Sequence, residues 1–323
     1  MKQEENNICR LFNIKYPVIQ AGMIWVSGGR LAAACSNAGI LGLIGAGSMS
    51  RDLLRQHILK ARELTDQSIG VNIPLLHQGA KEQIETALSL GIKIFFTSAG
   101  SPKTFTPFLK DHGAIVVHVT STPELAVKCQ EAGVDAVVAE GFEAGGHNGR
   151  DEITTMVLIP QVVRAVNIPV IAAGGIIDGS SIAAALCLGA QGVQMGTAFI
   201  ATRESSAHQN FKDIIVKSKS DSTMLSMRKL VPVRLIKNQF FFKVKELEDR
   251  SASREELQAL LGKGRSKLGM MDGDMDEGEL EAGQGCALIQ DIPSVLELVE
   301  RLKNQYCQVV KSLPSGLHFP PDE

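Results

Sequence analysis

Residues 139–149 read Ala-Glu-Gly-Phe-Glu-Ala-Gly-Gly-His-Asn-Gly, an apolar run that ends in a glycine-rich loop carrying one histidine, His147. Four glycines within nine residues let the backbone lie flat against a ligand that a Cβ would push away. Histidine is the side chain whose unperturbed pKa lies nearest neutrality, so a single copy at such a surface is suited to donate or accept a proton. A structural histidine on a glycine loop would read the same way in isolation, and the rest of the chain decides between the two.

Two further glycine-bearing segments occur where a strand-and-helix fold would bring them alongside. Ala172-Ala173-Gly174-Gly175-Ile176 ends one apolar run, and Gln194-Met195-Gly196-Thr197-Ala198 ends another. Backbone N–H groups at such places, with the Thr197 hydroxyl, suit a phosphate. Gln20-Ala21-Gly22-Met23 and Gly70-Val71-Asn72 combine small residues with an amide that offers both donor and acceptor to the edge of a flat heteroaromatic ring. Asn72 capping its own loop is the structural alternative. Glu140 can accept from a polyol. Phosphate, polyol and planar ring together describe FMN, with Ala21, Gly22, Met23, Asn72, Glu140, Gly145, Gly146, Ala173, Gly174, Gly175, Gln194, Gly196 and Thr197 as its expected contacts and His147 as the catalytic group.

The elements that must position these residues are legible as eight short runs rich in Val and Ile: residues 17–22, 41–47, 68–74, 92–100, 114–120, 136–141, 169–175 and 192–199. Helical patterns fill the intervals, at 51–63, 80–90, 123–132 and 180–188. Buried strands alternating with amphipathic helices mean a parallel sheet covered by helices, and eight such units predict a closed (β/α)8 TIM barrel. An open doubly wound sheet would need a phosphate fingerprint after its first strand. Gly45-Ala46-Gly47 follows the second strand and lacks the third glycine, so it reads as a tight turn.

The barrel is expected over residues 11–205 and 286–311, with 292–309 as its last outer helix. Residues 206–285 change character and read as an inserted, mostly helical subdomain over the mouth. Phe240, Phe241 and Phe242 are expected to form its small core. The acidic stretch Asp272–Gly278 lacks the glycine and glutamate of a calcium loop at the required positions and reads as a solvated turn.

With 323 residues, 44% hydrophobic, the chain can bury a large core. Thirty-three Lys and Arg against 35 Asp and Glu, without a long basic cluster, point away from nucleic acid and anionic membranes and toward a small-molecule substrate. Met1 to Arg10 is polar and acidic, no apolar stretch approaches a membrane span, and a cytoplasmic location is the default expectation. Six cysteines without a Cys-x-x-Cys pair argue against a zinc site or a disulfide framework, so no metal is expected; most, Cys35 and Cys187 included, read as buried small apolar residues. A homodimer is the base-rate expectation.

These residues resemble the flavin-dependent barrel enzymes that comprise nitronate monooxygenases (2-nitropropane dioxygenases) and enoyl-[acyl-carrier-protein] reductase II. The resemblance runs from Tyr16–Met23 through Glu143-Ala144-Gly145-Gly146-His147, Pro169–Ile176 and Val193–Phe199 to Glu281-Ala282-Gly283-Gln284. It implies an FMN barrel with an inserted smaller domain and a proton-transferring histidine at His147, with Met23, Asn72, Glu140, Gly174, Gly175, Gly196 and Thr197 at flavin-contacting positions. Glu140, Phe96–Pro102, Glu204–His208, Val233–Gln239 and Gly273–Gly278 look more like the reductase branch. That branch implies NADPH or NADH as reductant, an enoyl thioester as substrate and acyl carrier protein as partner. The loop Gly149–Thr155 is longer than the reductase pattern. A nitronate oxidase would use the same His147 on the proton α to the nitro group. Two readings outside this class are a non-redox phosphate-ligand barrel, for which the strand ends offer Glu140 but no lysine, and a flavin sensor in which His147 is idle.

Overall fold

The apolar runs pair edge to edge in parallel and close on themselves. In the computed structural model, which describes residues 6–312, the strands in chain order are β1 (Val18–Gln20), β2 (Leu41–Gly45), β3 (Ile69–Pro74), β4 (Ile94–Ser98), β5 (Ile115–Thr120), β6 (Ala136–Glu140), β7 (Gly146–His147), β8 (Val170–Ala173), β9 (Gly192–Met195), β10 (Thr223–Ser226) and β11 (Val233–Ile236). Eight of them form a closed barrel in the order β1-β2-β3-β4-β5-β6-β8-β9, sealed by Ile19 opposite Gln194. This is a TIM barrel, and all eight expected strands are present. Residues 1–5 of the polar N-terminus lie outside the described residues.

Period-2 alternation between two buried faces explains why the strand runs are apolar throughout. Leu41 and Leu43, Ile94 and Phe96, Ala136 and Val138, and Ile171 and Ala173 fill the interior. Val71, Ile73, Phe95, Val116, Val137, Ala139, Val170 and Ala172 face the other way, into the larger core under the helices. The helices Arg51–Leu64, Ala80–Ser89, Pro123–Glu131 and Gly179–Cys187 fall where the sequence places them. Val295–Ser312 packs on Gly179–Cys187 and on Gly29–Asn37, burying Val295, Leu298, Val299 and Leu302. An element the pattern does not announce is the short helix Asn7–Phe12, capped by the Asn6 side chain, whose Ile8 and Phe12 plug the barrel interior from below. The Phe12 ring lies 5.7 Å from the Phe96 ring.

Residues 206–285 hold four short helices, Gln209–Val216, Gln239–Asp249, Arg254–Leu261 and Arg265–Met270, which cover less than half of the segment, and add the hairpin of β10 and β11. β7, which carries the histidine, pairs with β11 to complete a three-stranded antiparallel sheet. Under this sheet Met227, Leu230, Val233, Leu235, Phe240, Val244 and Leu257 form a separate small core. Phe240 and Phe241 are buried, but Phe242 is 57% exposed, because the third of three consecutive helical residues points about 200° away from the first. Phe240→Ala should therefore lower the melting temperature by the equivalent of ~3 kcal/mol or more. Phe242→Ala should lower it far less, and equal losses would mean the small core is misassigned. Cys187 also departs from expectation: it is exposed, as is Cys307, while Cys9, Cys35, Cys129 and Cys286 are buried. It lies at the last position of its helix, beyond the stripe that packs on the barrel. Asp272–Gly278 folds as a turn in which Asp274 accepts from the backbone N–H groups of Asp276 and Glu277.

Candidate active site

Parallel strands in a barrel deliver their C-terminal ends to one face, and every residue expected to form the site lies on that face or in the loops above it. Glu140, Ala173 and Gln194 are neighbours in one rung across β6, β8 and β9. Gln194 is buried, and its Oε1 has no donor among the described residues. Burial pushes the Glu140 carboxyl up to about 7.

The β8 loop turns through Gly174 (φ +91°) and Gly175 (φ +69°), a left-handed conformation that favours glycine. A Cβ on Gly174 would lie 2.6 Å from the Gly141 carbonyl oxygen, so the loops after β6 and β8 touch backbone to backbone. Thr155 reinforces this corner by donating to the Glu143 carboxylate from its N–H (2.9 Å) and its hydroxyl (2.8 Å). On the other side, Gly283 donates its N–H to Thr197 Oγ1 (3.0 Å), which leaves the hydroxyl proton available. A Cβ on Gly145 would sit 2.5 Å from the Gly283 nitrogen, so Gly145, Gly283 and Thr197 also share one corner.

Beside this corner, at the ends of β1 and β3, Gly22 lies so close to Asn72 that any Cβ would overlap the asparagine side chain, and Asn72 Nδ2 donates to the Gly22 carbonyl at 3.4 Å. A Cβ on Gly196 would fall 3.4 Å from Met23 Sδ and 3.7 Å from Ala21. Ala21, Gly22, Met23 and Asn72 thus form a second patch, joined through Gly196 to the corner that holds Thr197. Asn72 bonds to the loop after β1, two strands away, rather than capping its own.

His147 is placed by pairing with the segment 206–285. It stands opposite Val233, and Gly146 stands opposite Arg234. Arg234 is 2% exposed; its guanidinium stacks 4.7 Å over the Phe142 ring and donates to the Phe142 carbonyl from Nε (3.2 Å) and Nη2 (2.9 Å). Asn148 bonds back to the carbonyls of Ala144 and Gly146. The longer loop beyond is tied down as well, with Arg150 donating to the Leu230 carbonyl (2.8 Å) and Glu152 paired with Arg228. The His147 ring is open to solvent at the mouth, although protein surrounds it on most sides. That surrounding lowers its pKa by desolvation, and Glu279 partly opposes the shift.

Nothing local in the sequence marks Glu279 as part of a site, since it continues an acidic stretch that reads as solvated, and Glu281 enters only as the first residue of a motif in a resemblance. Arg234 likewise enters only as one residue of a resemblance. A lone buried cation or carboxylate has no local periodic signature, and pairing partners far along the chain define its surroundings.

The other histidines among the described residues serve the scaffold. His57 accepts from Gly29, His77 from Gly79 and His208 from Asn210. His118 meets Thr97 Oγ1 at 2.7 Å, and burial takes its pKa from 6.5 down to about 4. The unfolded chain binds that proton more readily between the two values. Its contribution to stability is therefore intact above pH 6.5 and lost as the pH falls toward 4, at up to about 1.4 kcal/mol per pH unit. His118→Gln should flatten the dependence of melting temperature on pH between 7 and 5, and an unchanged slope would remove His118 as the cause.

The residues present match the three parts of FMN. Glycine backbone and a free hydroxyl at one corner suit the phosphate, buried acceptors on the rung suit the polyol, and small residues with an amide suit the ring edge. Fold and site together define a closed parallel barrel with His147 in the loops above the C-terminal ends of its strands. The nitronate monooxygenase family profile matches residues 5–305, and the chain belongs to this family. It is an FMN-dependent oxidoreductase. A probable nitronate monooxygenase of Staphylococcus saprophyticus is 34% identical, covering 93% of this chain and 97% of its own. A 5-hydroxy-7a-methyl-1-oxo-octahydro-1H-indene-4-carboxyl-CoA dehydrogenase of Mycobacterium tuberculosis is 32% identical, covering 91% and 94%. The solved structure of FabK, an enoyl-ACP reductase II, from Thermotoga maritima superposes with a TM-score of 0.92 at 38% identity, covering 96% of this chain and 99% of that one.

Proposed function

We propose that this chain reduces enoyl thioesters with NADPH or NADH, in the manner of an enoyl-ACP reductase II. The observation that carries this reading is the pairing of His147 with Val233 of β11, which fixes a histidine at the barrel mouth. The likeness to FabK and to a carboxyl-CoA dehydrogenase supports a thioester as the substrate class.

FMN would be held through its phosphate by Gly174, Gly175, Gly196 and Thr197, with Gly145 and Gly146 alongside. Ala173, Gln194 and Glu140 would face its polyol, and Ala21, Gly22, Met23 and Asn72 its ring. When bound it supplies hydride transfer between nicotinamide and substrate. The chain's own part is to orient the thioester, exclude water with residues 206–285, and hold a proton on His147 for the α-carbon. No helix among the described residues is long and apolar enough to cross a membrane. An acyl carrier protein as donor of the thioester, and a homodimer as the working form, belong to the same proposal.

Steady-state oxidation of NADPH or NADH with a short trans-2-enoyl thioester tests it. Saturable turnover is the expected result, and none with either nucleotide would overturn it. The probable nitronate monooxygenase relative favours one second reading, in which His147 takes the proton α to a nitro group and oxygen is the acceptor.

A further inference from the structure

Trp25 is the one tryptophan of the chain, and it lies two residues beyond Met23 in the loop proposed to face the flavin ring. Its φ is +60°, a left-handed conformation that a bulky side chain adopts only where its surroundings impose it. Two hydrogen bonds hold it there. The backbone N–H donates to Ser48 Oγ (3.2 Å) in the loop after β2, and the indole Nε1–H donates to Ser266 Oγ (3.1 Å) in the helix Arg265–Met270.

The base of the loop is tied to the barrel. Ser27 Oγ accepts from Gln20 Nε2 (2.8 Å) and from the Met23 N–H (3.0 Å) and donates to the Ala21 carbonyl (2.9 Å), while the Ser27 carbonyl accepts from the Gly45 N–H (2.9 Å). The Ser27 N–H closes the turn on the Met23 carbonyl (3.0 Å), so Trp25 stands at its crest.

The crest is tied to segment 206–285. Besides the Ser266 bond, Ser206 donates its N–H to the Val26 carbonyl (3.1 Å). The helix that holds the indole is built into that segment at both ends. His208 donates its N–H to the Met270 carbonyl (2.8 Å), and the Arg265 guanidinium stacks 4.7 Å over the ring of Phe240 in the small core. An indole whose N–H is committed to Ser266 has no donor left for a ligand.

We propose that Trp25 is a positioning residue for the flavin ring: its indole bond to Ser266 holds the turn 21–27, and with it Met23, in the ring-binding conformation while segment 206–285 is seated on the barrel. The left-handed φ supplies the coupling. Once the indole bond is lost, the backbone at Trp25 has less strained conformations open to it, and rotation there displaces Met23 from its place beside Gly196. Trp25 acts through Met23, and the inference rests on the placement of the ring at Ala21, Gly22, Met23 and Asn72.

The test uses the flavin-loaded full-length protein and three variants. Ser266→Ala removes the acceptor, Ser266→Thr keeps it, and Trp25→Phe keeps an aromatic ring without the N–H. Tryptophan emission comes from Trp25 alone, so its wavelength reports the indole bond. The emission should shift in Ser266→Ala and return in Ser266→Thr. Release of FMN on dilution, followed by the fluorescence of free flavin, should be about 2- to 10-fold faster in Ser266→Ala and in Trp25→Phe, the worth of one hydrogen bond, and close to wild type in Ser266→Thr. The double variant Trp25→Phe with Ser266→Ala should release FMN no faster than either single one, because both remove the same bond. Emission that coincides in Ser266→Ala and wild type would overturn the bond. A shifted emission with unchanged release, or single effects that multiply in the double variant, would overturn its hold on the flavin. If wild-type Trp25 emission does not rise as FMN leaves, the placement of the ring fails, while the wavelength shift still decides the indole bond.

Discussion

His147→Ala should lower kcat by about 10² to 10⁴, the usual contribution of a positioned proton donor, while the protein keeps its flavin and its melting temperature. The separation of effects follows from how the residue is held. Its backbone is fixed by pairing with Val233, and the loop before it by Arg234 on the Phe142 carbonyl; neither contact uses the imidazole. The ring makes no hydrogen bond among the described residues that the fold would miss. Turnover within a few-fold of wild type would remove His147 from the chemistry and favour a structural or sensing role. Loss of flavin together with activity would place the ring in cofactor binding instead.

Gly174→Val should abolish flavin binding and destabilise the fold. At φ +91° a side chain bears the left-handed penalty of about 1–2 kcal/mol. Its Cβ would also press on the Gly141 carbonyl at 2.6 Å, and overpacking of that kind costs about 1–3 kcal/mol. The backbone of either the β6 or the β8 loop must move, and those loops carry the proposed phosphate corner and Glu140. Gly262 is the control: its φ is +62°, and a Cβ there would meet nothing within 4 Å, so Gly262→Ala should show only the conformational part and leave flavin content unchanged. Full flavin occupancy in Gly174→Val would show that the glycine pair does not shape the cofactor site.

The barrel is written in local sequence because each strand is buried on both faces and so must be apolar along its whole length. Leu41 to Gly45 and Ala136 to Ala139 could scarcely be anything else. The glycine motifs are legible for a related reason, as steric demands restrict the residue type at a close backbone approach. What sequence does not disclose is built by pairing between distant segments. β11 holds a buried arginine among its four residues, which breaks the apolar pattern of a strand. Asn7–Phe12 is too short for a helical period to emerge. Glu279 looks like the tail of a solvated acidic turn until Leu280 bonds to Ile236 and draws it under the sheet. The site's cradle could be read from the chain; the strand that aims His147 and the acids behind it could not.

Anaerobic stopped-flow absorbance of the bound flavin, with NADPH, NADH and a propyl nitronate mixed in separately, tests the central claim most directly. Rapid bleaching by a nicotinamide nucleotide, followed by recovery on adding an enoyl thioester, is the predicted result. Bleaching by the nitronate alone would contradict the reductase assignment, and a protein that binds no flavin would contradict the account of the site itself.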